Sequence, residues 1–362
     1  MSDKNKFVLV TGATGAVGPR VVHALDQAGF RIRSFSVYTP TEGMFPQSVE
    51  VLIGDVTDQV AVQSAMQGVD AVVHMAALLH IVNPPPELRE KYERVNIGGT
   101  ATVVEAAIKA GVKRVVLFST IAVYGPSDGR VLNEMSPTHP DTFYAQTKRA
   151  AEQVVLNARG ADGQALGTVL RLGAVYGSRI KGNYERLTHA LARNRFIPIG
   201  SGLNRRTLVY DKDVGRAAVL AVSHPSAAGR VFNVTDGGFH TLNEIIESIC
   251  SALGRKPPRL SLPVGPTRTL IRLIEMGYRV MGIMGGIVGT RSRSFDKLRM
   301  RGLLGHVPII PPVTRETVDK YTEDIAVDGS LIQKELGFVP QYDLKAGWEE
   351  TVREQKVLSA ED

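Results

Sequence analysis

Tyr144 and Lys148 stand four residues apart in FYAQTKRAAEQVV, a stretch whose spacing predicts a helix. Four residues is about one helical turn, so both side chains share a face and can act together. The chemistry such a pair offers is proton transfer. A free tyrosine loses its proton near pH ~10, so service as a base near neutrality needs a downward shift of about three units, roughly 4 kcal/mol at ~1.4 kcal/mol per unit. A neighbouring ammonium can supply part of it. Taken alone, a Tyr and a Lys at this spacing are more often a solvated pair; their place along the chain reverses that. Upstream, LFSTIAVYG ends a strand with Ser119 and Thr120, two hydroxyls at the carboxyl edge of a sheet, where ligands of open α/β sheets sit.

Directly after the first apolar strand comes TGATGAVG, with Gly12, Gly15 and Gly18 at three-residue intervals and Thr14, Ala16 and Val17 between them. Gly12 permits a tight turn, Gly15 lets a phosphate approach the backbone, and Gly18 lets the following helix pack closely on the strand. The helix N-terminus then offers N–H groups to an anion. In this strand, turn, helix context a dinucleotide is expected over an ordinary glycine-rich βα turn, and a bound nicotinamide cation would add to Lys148 in acidifying Tyr144. About twenty residues on, a carboxylate would hold the adenosine ribose and favour NAD; here the residue is Ser36. Arg33 reads either as a neighbour of a 2′-phosphate or as an exposed strand residue, so NAD and NADP both stand. Asp55, followed by Val56 in IGDVTD, is placed to meet the adenine amino group or, equally, to cap the next helix.

These groups need a scaffold. KFVLV, RIRSF, VEVLI, DAVVH, KRVVLF and GTVLRL are short apolar runs separated mostly by helical spacing, which predicts an α/β fold with a doubly wound parallel sheet covered on both faces. Pro19 suits the first turn of the helix VGPRVVHALDQAG, and Gly29 marks its exit. After about Leu172 strands thin out, then RTLVYDKDVGRAAVLAV and RVFNVTD return to the βα style. The expected division is a nucleotide-binding domain over 1–172 and 207–236, with 173–206 and 237–362 forming a smaller, discontinuous substrate lobe. Lys and Arg exceed Asp and Glu by 43 to 36, a net +7 without any basic tract of the length nucleic-acid binding would use. The single cysteine, Cys250, excludes an internal disulfide and reads as core in LNEIIESICSALG. With no signal-peptide pattern, a cytoplasmic location is expected. The eight histidines lack ligand-like spacing, so no metal site is expected.

TGATGAVG, the VNIGGT beginning at Val95, STIAVYG, YAQTK and RLGAVYG occur in an order and spacing that resemble the extended short-chain dehydrogenase/reductases over nearly the whole chain. The resemblance implies a Rossmann-type domain and a catalytic triad of Thr120, Tyr144 and Lys148, with Lys148 also holding the nicotinamide ribose. It implies a structural role for Asn96 beside the cofactor, places Ala76 and Ala77 along it with Ser119 nearby, and sets the backbone around Val175 against the carboxamide. Ser36 is the departure from the pattern, and it bears on cofactor choice. Two branches compete. STIAVYG, and Arg206 in RRTLVYDKDV at a phosphate-holding position, are similar to nucleotide-sugar epimerases and dehydratases, although Arg206 also reads as a surface strand residue. The tail, with an apolar insert from Thr269 to Gly289, is similar in layout to 3β-hydroxysteroid and sterol-carboxylate dehydrogenases. The insert is too charged to span a bilayer; with the basic residues after it, segment 269–301 reads as a buried helix with a solvated face, a substrate flap, or a peripheral membrane contact. A small-molecule substrate is expected, and the resemblance implies a homodimer.

Overall fold

The computed structural model describes residues 6–78, 86–272 and 315–358. In chain order the strands are β1 (Phe7–Thr11), β2 (Arg31–Ser36), β3 (Glu50–Ile53), β4 (Ala71–His74), β5 (Arg114–Thr120), β6 (Gly167–Leu172), β7 (Ala174–Tyr176), β8 (Arg205–Arg206), β9 (Leu208–Tyr210), β10 (Val231–Val234) and β11 (His240–Thr241). β1 to β6 and β10 form one sheet in the order β3-β2-β1-β4-β5-β6-β10, every adjacent pair parallel. β8 pairs with β11, and β7 with β9. The helices are α1 (Gly18–Gln27), α2 (Gln59–Ala65), α3 (Pro86–Tyr92), α4 (Gly99–Lys109), α5 (Phe143–Asn157), α6 (Asn183–Ala192), α7 (Asp211–Ser223), α8 (Leu242–Ala252), α9 (Arg315–Thr322), α10 (Ser330–Leu336) and α11 (Leu344–Leu358). This is the doubly wound α/β sheet expected from the sequence.

Side-chain alternation explains why the sheet needs helices on both faces. Along β1, Val8 and Val10 enter one core with Val21, Val22 and Leu25 of α1 and Val214 and Ala217 of α7. Phe7 and Leu9 enter the other, with Val62 of α2, Val103 and Ala107 of α4, and Ala151 and Val155 of α5. Burying each large aliphatic side chain contributes about 1.5–3 kcal/mol, so a strand apolar on both sides is stable only when both are covered. β1 has β2 on one side and β4 on the other, where the winding reverses. At such a switch point the loops after the two strands part and leave a crevice at their carboxyl ends.

Compactness divides the chain into a larger unit, Met1–Arg195, Arg205–Pro257 and Asp324–Asp362, and a smaller one, Phe196–Asn204 and Pro258–Glu323. Compactness is a different criterion from the functional division expected from the sequence; within the larger unit, Tyr176 of β7 stacks on Trp348 of α11 with ring centroids 4.6 Å apart. Cys250 is buried on α8. In the smaller unit, the Gly200 amide donates to the Leu262 carbonyl at 2.8 Å, residues 264–272 are helical, and Arg268 pairs with Asp319. Of the segment 269–301, all beyond residue 272 lies outside the described residues. Among the described residues no helix is long and apolar enough to cross a membrane.

Candidate active site

The glycine turn occupies the switch point. Gly12 has a positive φ of 71°, and a Cβ on it would sit 2.7 Å from the Ala76 amide nitrogen, so only glycine lets the turn pass the end of β4. A Cβ on Gly18 would lie 2.0 Å from the Ala13 carbonyl oxygen, which fixes how closely α1 approaches the strand. Gly15 is exposed, its amide donating to the Gly12 carbonyl at 2.9 Å. Thr14, Ala16 and Val17 are half-buried around it. Val17 is the N-cap of α1 and no side chain caps that helix end; Pro19 sits in the first turn, as expected. A glycine rim leading to an N-terminus without a side-chain cap fits a pyrophosphate.

At the end of β2 the Ser36 hydroxyl faces inward and accepts from the Thr14 amide at 3.2 Å, bracing the glycine turn. Arg33 is committed elsewhere: it donates to the carbonyls of Ala65 and Gln67, both at 2.8 Å, pairs with Glu50 at 3.0 Å and stacks on Phe7. Asp55 is exposed and closes a local turn by accepting from the Thr57 amide at 2.9 Å. The helix-capping alternative for Asp55 is corrected: the N-cap of α2 is Asp58, whose carboxylate accepts from the Val60 and Ala61 amides. The side chain of Val56 is spent on the core, leaving its backbone for a ligand.

Thr142 caps α5 by accepting from the Ala145 amide at 3.2 Å. One turn apart on this helix lie half-buried Tyr144 and buried Lys148. Burial, opposed by the carboxylate of Glu152, brings the Lys148 ammonium down to about 8. Burial, with a further push from Tyr92, raises the Tyr144 phenol to about 12. In the protein's own field the phenol therefore sits above its ordinary range. The charge of Lys148 reaches across to β4, where burial first and Lys148 second hold His74 down at about 3, a neutral imidazole. His74 bonds Thr11 at 2.7 Å and Thr100 at 3.0 Å, and Thr11 immediately precedes Gly12. Thr11 thus joins the strand leading into the glycine turn to His74, on which the charge of Lys148 acts.

Asn96 is buried in a π-helical turn over Glu93–Gly98, a rare geometry that often marks functional sites. Its side-chain oxygen accepts from the Leu78 amide at 2.8 Å and its amide donates to the Thr147 hydroxyl at 3.0 Å. Asn96 thereby joins the segment of half-buried Ala76 and Ala77 to α5, a structural tie of the kind the resemblance implied. Thr120 is half-buried and accepts from the Ala122 amide at 3.2 Å, which leaves its O–H able to donate. Ser119 points away from that edge: its hydroxyl donates to Glu152 at 2.6 Å. Half-buried Val175 lies in β7 against Val209. Arg206 sits half-buried in β8, opposite His240 of β11, with its charge acting on Tyr184. Sequence reasoning missed His74, Glu152 and Arg171. A histidine ending an apolar strand and a glutamate one turn beyond Lys148 were the available signals.

A profile of the NAD dependent epimerase/dehydratase family matches residues 8–235, from β1 through β10. The chain belongs to that family. It is therefore an enzyme of the NAD-dependent epimerase/dehydratase superfamily, whose members depend on NAD(P). It is 27% identical to an N-acetyl-alpha-D-glucosaminyl-diphospho-ditrans,octacis-undecaprenol 4-epimerase of Escherichia coli O157:H7, over 99% of this chain and 98% of that one. It is also 27% identical to a 3 beta-hydroxysteroid dehydrogenase/Delta 5-->4-isomerase of Mycobacterium tuberculosis, over 75% of each. MoeE5 in complex with UDP-glucose and NAD has the same fold, with a TM-score of 0.71 and 25% identity over 98% of this chain and 99% of its own. Within the family, relatives of both kinds are thus similar to this chain.

Proposed function

We propose that this member of the family is an oxidoreductase of the 3β-hydroxysteroid dehydrogenase type, moving a hydride between nicotinamide and a secondary alcohol or ketone on an apolar, sterol-like substrate. The observation that carries the reading is the Asn96 tie: its amide donates to Thr147, between Tyr144 and Lys148 on α5, and its oxygen accepts from the amide of Leu78, two residues beyond the Ala76 that the glycine turn passes at Gly12. Tyr144 takes the proton of the substrate hydroxyl, Thr120 donates to the substrate oxygen, and Lys148 holds the cofactor ribose. When bound, NAD(P) supplies the ring carbon that accepts the hydride. Ketone reduction runs the same path backwards, with Tyr144 donating. The apolar insert and the tail layout support the sterol-like substrate. Assay of the purified chain with NAD and 3β-hydroxysteroids should form one NADH per steroid oxidised; a protein that carries tightly held NAD and turns over without added cofactor would refute the dehydrogenase.

Arg206 favours a second reading, a UDP-sugar 4-epimerase or dehydratase. It is half-buried, its position resembles the one where such enzymes hold a phosphate, and MoeE5, in complex with UDP-glucose, matches along 98% of this chain. Such an enzyme would interconvert UDP-sugars at catalytic NAD, so a substrate panel with both classes separates the two.

The adenosine end supports NAD over NADP. From residue 34 to residue 88 the chain has no Lys or Arg, and Arg33 is engaged by two carbonyls and Glu50. A 2′-phosphate beside Ser36 would find no cation of this stretch, a loss of about 1.5–3 kcal/mol in charged hydrogen bonding. NADH is expected to bind at least about tenfold more tightly than NADPH in fluorescence titrations. Arginine at the exposed neighbour, Val37→Arg, should narrow the gap.

A further inference from the structure

We propose that Glu152 is a positioning residue for Lys148: it binds α5 to β5 through Ser119 and provides the counter-charge that keeps the lysine able to hold the dinucleotide ribose. The inference rests on the reading of Lys148 given above. Tyr144, Lys148 and Glu152 follow one another at four-residue steps and so share a face of α5. Glu152 is fully buried, and each of its oxygens has a partner. Oε1 accepts from the Ser119 hydroxyl at 2.6 Å and from Arg171 Nε at 2.9 Å; Oε2 accepts from Arg171 Nη2 at 2.7 Å and Arg149 Nη1 at 3.4 Å. Ser119 adjoins Thr120 on β5, so the Ser119–Glu152 bond joins the strand that carries the threonine to the helix that carries the tyrosine and lysine. Arg171 is itself buried on β6 and stacks on Tyr124.

The anchor alone would be architecture. What points to function is the direction of the field. Burial strips the Lys148 ammonium of water, and the carboxylate one turn away opposes that loss; of the ion pair, it is Glu152 that acts on Lys148. Among the described residues, Glu152 is the charge that acts on Lys148. His74, facing from β4, is held neutral at about 3, Tyr144 on the same helix is a neutral phenol near pH 8, and Tyr92 acts on Tyr144. Arg149 and Arg171, which bond Glu152, are themselves positive and cannot serve as a counter-charge to the lysine.

NADH binding against pH, followed by NADH fluorescence, tests this without a substrate. In the natural protein binding should weaken as Lys148 loses its proton, around pH 8. In Glu152→Gln the midpoint should fall by on the order of one pH unit. That variant leaves Arg171 buried without its partner, so Glu152→Gln/Arg171→Met, in which both charges are gone, is the folding-safe companion and should shift the same way. Thermal melts identify which variants are folded. Lys148→Met should abolish the alkaline weakening altogether. If Lys148→Met keeps that weakening, the reading of Lys148 fails. If Lys148→Met removes it while the folded Glu152 variants keep the natural midpoint, Glu152 is architecture only and the present inference is overturned.

Discussion

Tyr144→Phe is expected to lower turnover by about 10²–10⁴-fold while changing NADH binding by no more than about 1 kcal/mol. The substitution keeps the ring on α5 and removes only the hydroxyl. The helix cap at Thr142 and the Asn96–Thr147 tie involve other atoms, so the scaffold should survive. The pH dependence gives a second reading of the same group. Burial raises the phenol to about 12, and on the proposed reading alcohol oxidation uses its deprotonated form, so at saturating cofactor the oxidation rate should climb with pH. Ketone reduction uses the protonated form, so it should hold through neutrality and fall as pH rises. A bound cationic ring moves both midpoints down by favouring the phenolate. Undiminished turnover in Tyr144→Phe would show that another group transfers the proton.

How much of this could be read in the sequence depended on range. The glycine turn and the Tyr144–Lys148 pair are local patterns, legible because a tight turn and one helical turn are fixed by neighbouring residues. The sheet was legible for the same reason: apolar runs separated by helical spacing leave few ways to cover both faces. Contacts between distant segments were not. Nothing in STIAVYG says that the Ser119 hydroxyl turns inward to Glu152, a partner 33 residues on, while Thr120 stays at the edge. Arg33 and Ser36 likewise needed three-dimensional neighbours, Glu50 and Thr14, before their engagement could be seen. Asp55 shows the opposite failure. Two aspartates lie three residues apart in IGDVTD, and only backbone geometry decides that Asp58 is the cap.

Pairings of the later chain were the least legible feature. Pro and Gly become frequent after Leu172, and nothing in that stretch announces that β7 pairs with β9 or that Tyr176 stacks on Trp348, far along the chain. An aromatic contact between segments so distant in sequence leaves no periodic trace in either. The buried ion pair of Glu152 and Arg171 was hidden in the same way, since each residue alone reads as solvated charge.

Gly18→Ala is expected to destabilise the protein by about 3 kcal/mol and to weaken NADH binding at least about tenfold. The cause is contact rather than backbone conformation, because Gly18 is outside the set of glycines with positive φ. An added methyl would meet the Ala13 carbonyl at 2.0 Å for oxygen and 2.4 Å for carbon. Both are backbone atoms of the turn just after β1, with no rotamer to yield, so α1 must move outward. That movement opens the core around Val21, Val22 and Leu25 and shifts the amides at the start of α1 away from an anion seated on the turn. Gly98→Ala is the matched control. Gly98 has helical φ −60° and ψ −47°, and the nearest atom to its added methyl is 3.9 Å away, so alanine there should be neutral or stabilise by up to about 1 kcal/mol. Thermal melts and NADH titrations of the two variants measure both effects together. A Gly18→Ala protein that melts with the natural one and binds NADH equally well would mean that α1 tolerates displacement from β1, and the glycine turn would lose its standing as the pyrophosphate site.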